Sequence, residues 1–272
     1  MSLRYPTPAT YIQPLTLVEV NPGRLMLIGH KGAAAIELGN TLASFRAAAD
    51  AGVDAIELDV LRPRADFEVP SEWSRAPAGP ATASGPLLVA HDWADAAARA
   101  PLTLSEALDA FCQPPLDRLR FDLDLKTIGR EDEVVASIRE RGLEDRAMTS
   151  TMELPSVRAL AELAPDMYRG WTLPKVGRDW TKSRMPKPLL AGAMAALRAR
   201  LPGIVRRRAP ELGLAAIWVY HPLASRALAD ASHDAGCELI CWTVDDPSRM
   251  RDLVALGADG ICTNDPRLFG RR

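Results

Sequence analysis

Strand-like and helix-like segments alternate along this chain from residue 25 onward, and that alternation restricts the fold more than any other feature. Short apolar runs stand at 25–30, 53–60, 119–126, 147–151, 167–173, 214–220, 238–244 and 260–263. Runs of this length, bounded by polar or glycine-containing segments, read as buried strands. Segments with apolar residues at helical spacing lie between them, at 40–51, 104–112, 131–141, 156–163, 188–207, 224–235 and 247–256. The second helix opens on Thr103-Leu104-Ser105-Glu106, the pattern of a capping box. Eight strands with intervening helices predict an α/β fold, a (β/α)8 TIM barrel. The eighth helix must be short, because few residues follow Pro266. A doubly wound open sheet is the other arrangement of such elements, but no glycine-rich phosphate loop supports it. The expected organisation is an N-terminal extension over 1–24 and a single catalytic domain over 25–272. An irregular insertion follows the second strand at 61–86, where Pro, Ala and Ser are frequent.

In such barrels the active site lies at the C-terminal ends of the strands. Four chemistry-bearing residues fall there: His30, Glu57, Asp59 and Asp124. Glu57 and Asp59 are two apart on an apolar strand and so point to one face. Two carboxylates sharing a buried face repel each other and lose hydration, and a hard divalent cation relieves both costs. Residues 119–126 alternate strictly, with Asp122, Asp124 and Lys126 on one face and Phe121, Leu123 and Leu125 on the other. Asp124 adds a third oxygen donor, Lys126 can hold an anionic substrate, and Asp122 sits one step deeper. A short strand at 87–90 delivers His91 to the same mouth, with Asp92 fixing the turn after it; no helix is expected between Val60 and Leu104. Two histidines beside three carboxylates are the material of a metal-assisted acid–base site. Trp242, near the end of the seventh strand, fits either core packing or one wall of a substrate pocket. His221 and His233 are read as non-catalytic.

Composition narrows the class of partner. The chain has 272 residues and a net charge of −2, so no global field attracts nucleic acid. Five Lys and Arg residues cluster between Pro174 and Pro188 with Trp180. That loop follows the fifth strand and would overhang the mouth, where it could draw anionic head groups or make transient contact with a membrane surface. The four cysteines, Cys112, Cys237, Cys241 and Cys262, lack metal spacing and read as buried thiols in a reducing, cytoplasmic compartment. No signal-peptide pattern opens the chain, and no apolar run approaches the ~20 residues of a membrane span.

The motifs His30-Lys31-Gly32, Asn40-Thr41-Leu42-Ala43-Ser44-Phe45, Ile56-Glu57-Leu58-Asp59-Val60, His91-Asp92, Asp124-Leu125-Lys126 and Trp242-Thr243-Val244-Asp245-Asp246, with the closing stretch from Leu256 to Asn264, resemble the glycerophosphodiester phosphodiesterases. The resemblance runs from about Leu25 to Leu268, and the order and spacing of the motifs carry it. It implies a (β/α)8 barrel and one divalent cation, Mg²⁺ or Ca²⁺, held by Glu57, Asp59 and Asp124. It implies His30 and His91 as the acid–base pair, with Lys31 and Lys126 on the phosphate. The implied reaction cleaves a glycerophosphodiester to an alcohol and glycerol phosphate. A lysophospholipase D-like enzyme acting on lysophospholipid, with a cyclic or open phosphate product, is the other enzymatic reading. A barrel that binds phosphodiesters without turnover is the third. Three positions depart from the family pattern. Lys31 stands where arginine is common, Gly39 where glutamate is usual, and Asp124 where a glutamate is usual.

Overall fold

The computed structural model describes residues 25–63, 85–175 and 187–270. Eight parallel strands form its centre: β1 (Met26–His30), β2 (Ala55–Leu61), β4 (Arg120–Leu125), β5 (Ala147–Thr151), β6 (Tyr168–Leu173), β7 (Ala216–Tyr220), β8 (Glu238–Trp242) and β9 (Gly260–Thr263). They follow one another around the sheet in chain order, and β1 pairs with both β2 and β9. The sheet therefore closes into the expected (β/α)8 barrel. A short strand, β3 (Leu88–Val89), pairs antiparallel with the end of β2. Each expected strand segment has its observed counterpart.

The helices are α1 (Leu42–Asp50), α2 (Trp93–Ala98), α3 (Leu104–Phe111), α4 (Glu131–Arg139), α5 (Leu154–Leu163), α6 (Lys187–Leu212), α7 (Arg226–Asp234) and α8 (Pro247–Leu256). A 3₁₀ turn, Pro266–Phe269, takes the place of an eighth long helix. Thr103 caps α3 as expected, accepting from the Glu106 N–H while Glu106 reaches back to the Thr103 backbone. A second box, Thr41 with Ser44, starts α1. Side chains packed between strands and helices make the large outer core. Phe111 bridges Phe45 and Phe121 in it, with ring centroids 5.8 and 4.7 Å away. Inside the barrel, Ile28, Ala55, Met148, Ala216, Ile240 and Cys262 pack with Trp218 beneath the catalytic mouth.

Three sequence expectations need correction. The stretch between β2 and α3 does contain a helix, α2, six residues long. Its alanines give no apolar stripe, and only the Asp92 cap, which accepts from the Asp95 N–H, marks its start. Cys112 is exposed at the end of α3, whereas Cys237, Cys241 and Cys262 are buried. Helix α6 is longer than expected, and its Pro188–Leu212 portion is long and apolar enough, by length and composition alone, to cross a membrane. Arg198 and Arg200 interrupt the run and hide this from a reading for unbroken apolar stretches. Most of its first half is exposed, including Leu189. Residues 64–84 of the expected insertion, the extension over 1–24, and Arg178, Lys182 and Arg184 of the basic loop lie outside the described residues.

Candidate active site

The site is assembled by strand register. Glu57 pairs with Asp122 and Asp59 with Asp124 across β2 and β4, so alternation turns all four carboxylates into the barrel. Carboxylate oxygens of Glu57, Asp59 and Asp124 lie within 4.8 Å of one another, and all three residues are buried. Lys126 enters this cluster just past β4. Its Nζ is 2.6 Å from Asp59 Oδ1 and is also paired with Asp124. Lys31 approaches from the other side, with Nζ 3.8 Å from Asp59 Oδ2.

Charges this crowded titrate abnormally. Burial first, then the Asp59 charge, raises Glu57 well above the usual carboxylate range. Burial also raises Asp124, although Lys126 opposes it. Asp59 would be raised by burial too, yet Lys126 and then Lys31 hold it well below the usual range. Lys126, which burial alone would discharge, is kept charged by Asp124, Asp59 and Glu57. Deeper in the barrel, burial pushes Asp122 up to about 8, against a hydrogen bond from the Ser150 hydroxyl of 2.6 Å.

The loop after β1 is shaped to bring backbone and side chains onto these carboxylates. Gly32 sits at φ +83°, and a Cβ there would lie 2.6 Å from the Ser44 backbone. Lys31 and Asn40 adopt positive φ, of 53° and 61°. The Lys31 N–H donates to Glu57 Oε2 at 2.8 Å. Asn40, buried, donates from Nδ2 to Asp59 Oδ2 at 2.6 Å and accepts from the Asp59 N–H at 3.1 Å. A Cβ on residue 39 would come 2.9 Å from Lys31 Cβ and 3.3 Å from Ala34 Cβ, so the loop in this conformation leaves no room for a side chain at Gly39.

His30 and His91 both line the same cavity as Glu57, Asp124 and Lys126. His30 Nδ1 lies 2.7 Å from Asn264 Oδ1, and Asn264 donates from Nδ2 to Asp245 at 2.6 Å. That donation fixes the amide, so its oxygen accepts from the His30 Nδ1–H and Nε2 is left as the basic nitrogen. Nε2 is 3.8 Å from Glu57 Oε2. Burial first, then the Lys31 charge, lowers His30 to about 4. His91 is half exposed at the mouth, its Nδ1 3.1 Å from Asp92 Oδ2 and its N–H held by Asp95 at 3.0 Å. Trp242 lines the cavity and also packs against the barrel-interior cluster around Trp218, so both of its readings describe the side chain. His221 and His233 lie outside it. His221 contacts Arg249, and His233 pairs with Asp259 at the opposite end of the barrel. Sequence reading gave no role to Asn40, Asn264 and Asp245, although all three fall in the motifs that carry the family resemblance; Asn264 reaches His30 only through the closed sheet.

A family model described as the glycerophosphoryl diester phosphodiesterase family matches residues 30–63 and 116–268, more than half of the chain. The chain belongs to that family. The family is one of phosphoric diester hydrolases. Among curated relatives, glycerophosphodiester phosphodiesterase GDPD4 of Arabidopsis thaliana is 37% identical over 57 residues, a stretch that spans 21% of this chain and 17% of that protein. Solved structures share the fold. A glycerophosphodiester phosphodiesterase of Thermotoga maritima is 18% identical, with a TM-score of 0.60 over 90% of this chain and 96% of the other. One from Agrobacterium tumefaciens is 20% identical, with a TM-score of 0.58 over 90% and 98%. A phosphodiesterase of Oleispira antarctica, in complex with its product sn-glycerol-3-phosphate, is 17% identical, with a TM-score of 0.60 over 90% and 94%.

The donor set fits a hard divalent cation. All three carboxylates offer oxygen, the donor that Mg²⁺ and Ca²⁺ prefer. Three buried carboxylates share one close ammonium, that of Lys126, which lies 2.6 Å from Asp59 Oδ1, and a cation would offset the remaining negative charge.

Proposed function

We propose that this protein is a divalent-metal-dependent phosphodiesterase that cleaves glycerophosphodiesters to an alcohol and glycerol phosphate by histidine acid–base catalysis. The observation that carries the reading is the convergence, in one cavity of a family-matched barrel, of His30, His91 and Lys126 on the carboxylates Glu57, Asp59 and Asp124. Glu57, Asp59 and Asp124 would hold the cation, Mg²⁺ or Ca²⁺. When bound, it neutralises charge on the phosphoryl oxygens and makes a nearby oxygen more acidic. Lys126 and Lys31 supply positive charge for the same oxygens. His30, neutral at pH 7 and oriented by Asn264, takes the proton of the attacking oxygen at Nε2. That oxygen belongs to water or to the neighbouring glyceryl hydroxyl. His91, oriented by Asp92, gives a proton to the departing alkoxide from the open side of the mouth. In this reading 25–272 is the catalytic unit, with 1–24 as an N-terminal extension and 61–86 as an insertion loop.

Product analysis tests it. The purified protein, supplied with Mg²⁺ or Ca²⁺, is given glycerophosphocholine, a lysophospholipid and a chromogenic phosphodiester. Release of glycerol phosphate and choline from the first supports the proposal. Turnover of lysophospholipid alone supports the lysophospholipase D reading, and binding without turnover supports the non-catalytic barrel.

A further inference from the structure

Helix α6 is longer than its place in the barrel requires. It has 26 residues, and the other helices have six to ten. Leu201, Val205, Ala209 and Leu212 recur at helical spacing and pack into the outer core, so its second half is the part that lies along the barrel. The first half follows β6 and therefore stands at the catalytic end. From Pro188 to Leu197 it carries ten residues without a charge, most of them exposed, and Leu189 is 64% exposed. The same end of the molecule bears other uncovered apolar side chains. Ile36 and Leu38 stand on the loop after β1, Leu38 at 62% exposure, and Ile128 stands on the loop after β4 at 46%. Among the described residues one further large hydrophobic, Leu163, is as open, and it ends α5 at the opposite end. Single exposed side chains of this kind are ordinary. Four of five at one end, beside an exposed apolar helix, are not. β1, β4 and β6 are alternate strands of the ring, so these points spread around half of the mouth and mark a face.

The charges beside this face indicate what covers it. The charged residues from Pro188 to Pro210 are five arginines and no acid, in a chain whose net charge is −2. Arg198 and Arg200 are exposed and directly follow the uncharged stretch. At 1.5 Å per residue that stretch is about 15 Å long, half of the ~30 Å hydrocarbon core of a bilayer. With its second half packed on the barrel, α6 cannot span a membrane, but its start can enter one leaflet. Arg198 and Arg200 then stand near the lipid phosphates, which guanidinium groups bind well, with their stems along the apolar boundary. A second copy of α6 would bring the same arginines against these and be repelled. Glu37, between Ile36 and Leu38, opposes an anionic surface, so that loop contributes by apolar insertion alone.

We propose that the catalytic face docks on an anionic phospholipid bilayer. The start of α6 and Leu38 enter the interface, Arg198 and Arg200 meet lipid phosphates, and the mouth faces the head groups. The experiment uses the full chain with vesicles of phosphatidylcholine, alone or mixed with phosphatidylglycerol. Wild type should sediment with the mixed vesicles and far less with phosphatidylcholine alone. Arg198→Gln with Arg200→Gln should weaken that binding roughly 20–30-fold, at about fivefold for each cation. Leu38→Asp with Leu189→Asp should weaken it by at least about tenfold. All four side chains are exposed, so both variants should keep the wild-type melting temperature. A polarity-sensitive fluorophore reports orientation independently of those variants. Cys112 is exposed at the end of α3, where the Phe111 carbonyl accepts from Arg146 beside the start of β5, at the opposite end of the barrel. Label on Cys112 should not respond to mixed vesicles, and label on Leu38→Cys in a Cys112→Ser background should shift to the blue. No binding to mixed vesicles, binding that neither pair of substitutions alters, or a shift at Cys112 and not at position 38 would overturn the proposal. A dimer formed without vesicles and lost in the Leu38→Asp, Leu189→Asp variant would overturn it in favour of a second copy. Vesicle binding is read without substrate, so its failure is distinct from failure of the phosphodiesterase reading.

Discussion

The two ends of the barrel use the same residue types to opposite effect. At the N-terminal end several buried or half-buried charged groups are partnered. Asp54 accepts from the Leu27 N–H at 2.8 Å, and Asp259 accepts from His233 and from the Leu239 N–H. Tyr168 donates to Glu238, and Arg120 lies over the Tyr168 ring at 4.8 Å. Buried Arg169 donates to the carbonyls of Ala164 and Gly213 at 3.0 and 2.7 Å. At the C-terminal end, three buried carboxylates crowd around one lysine, Asp122 keeps an unpartnered oxygen, and Lys31 and Asn40 hold strained backbone. The satisfied end stabilises the fold; the unsatisfied end stores binding capacity for groups brought from outside.

The sharpest way to break this contrast is to exchange losses between the ends. His30→Ala or His91→Ala should lower kcat by about 10²–10⁴-fold, the usual value of a general acid or base, with little change in melting temperature. Arg169→Met should do the reverse. It leaves carbonyls without donors, a loss of about 2–3 kcal/mol of stability, and should leave kcat near wild type. Steady-state kinetics beside thermal melts check both. If Arg169→Met cost activity as His30→Ala does, the two ends would not be separable.

The second test acts on the carboxylates. Chelation should abolish turnover, and Mg²⁺ or Ca²⁺ should restore it. The cation should also stabilise the protein, by about 2.7 kcal/mol at a concentration of 100 Kd, and Glu57→Gln should reduce that gain. Full activity in thoroughly metal-stripped protein would remove the metal from the proposed mechanism.

The third test concerns pH. The Asp122 carboxyl ordinarily titrates near 3.8 and is pushed up to about 8 by burial. Between those values the folded chain keeps a proton that the unfolded chain has released. Stability of the metal-free protein should therefore fall as pH rises from about 4 to about 8, by roughly 1.4 kcal/mol per pH unit from this group. Asp122→Asn should flatten that component. Identical pH–stability curves for the two proteins would show that Asp122 is already ionised in the fold.

The same division explains what could be read from sequence. The barrel was legible because each strand carries its own apolar run, and Glu57, Asp59 and Asp124 were legible because alternation alone sets their face. Their convergence, and the delivery of His91 by β3, also followed from strand order. What escaped depends on closure. Asn264 meets His30 across 234 positions of sequence, and Trp218 gains its place only because Gly170 on the neighbouring strand is bare. Helix α2 escaped for a local reason, since six residues rich in alanine carry too little periodicity to register.

The smallest expected effect lies at the rim of the catalytic end. Lys175, Arg178, Lys182, Arg184 and Lys187 follow β6 with a single acidic residue among them. Lys175 is well exposed, with Glu153 at 2.7 Å. We propose that this basic segment raises the encounter rate with anionic or lipid-surface substrates and takes no part in bond breaking. Charges at a cleft mouth steer ligands, and salt screens them over ~8 Å at physiological strength. Neutralising Lys175, Arg178, Lys182 and Arg184 together should lower kcat/KM for anionic substrates by up to about tenfold at low salt. Saturated enzyme no longer depends on capture, so kcat should stay nearly constant, and the two proteins should converge as salt rises. A large, salt-independent fall in kcat would show that the segment reaches the reacting phosphate. The division between a capturing rim and a reacting floor would then have to be redrawn, with these cations counted beside Lys31 and Lys126.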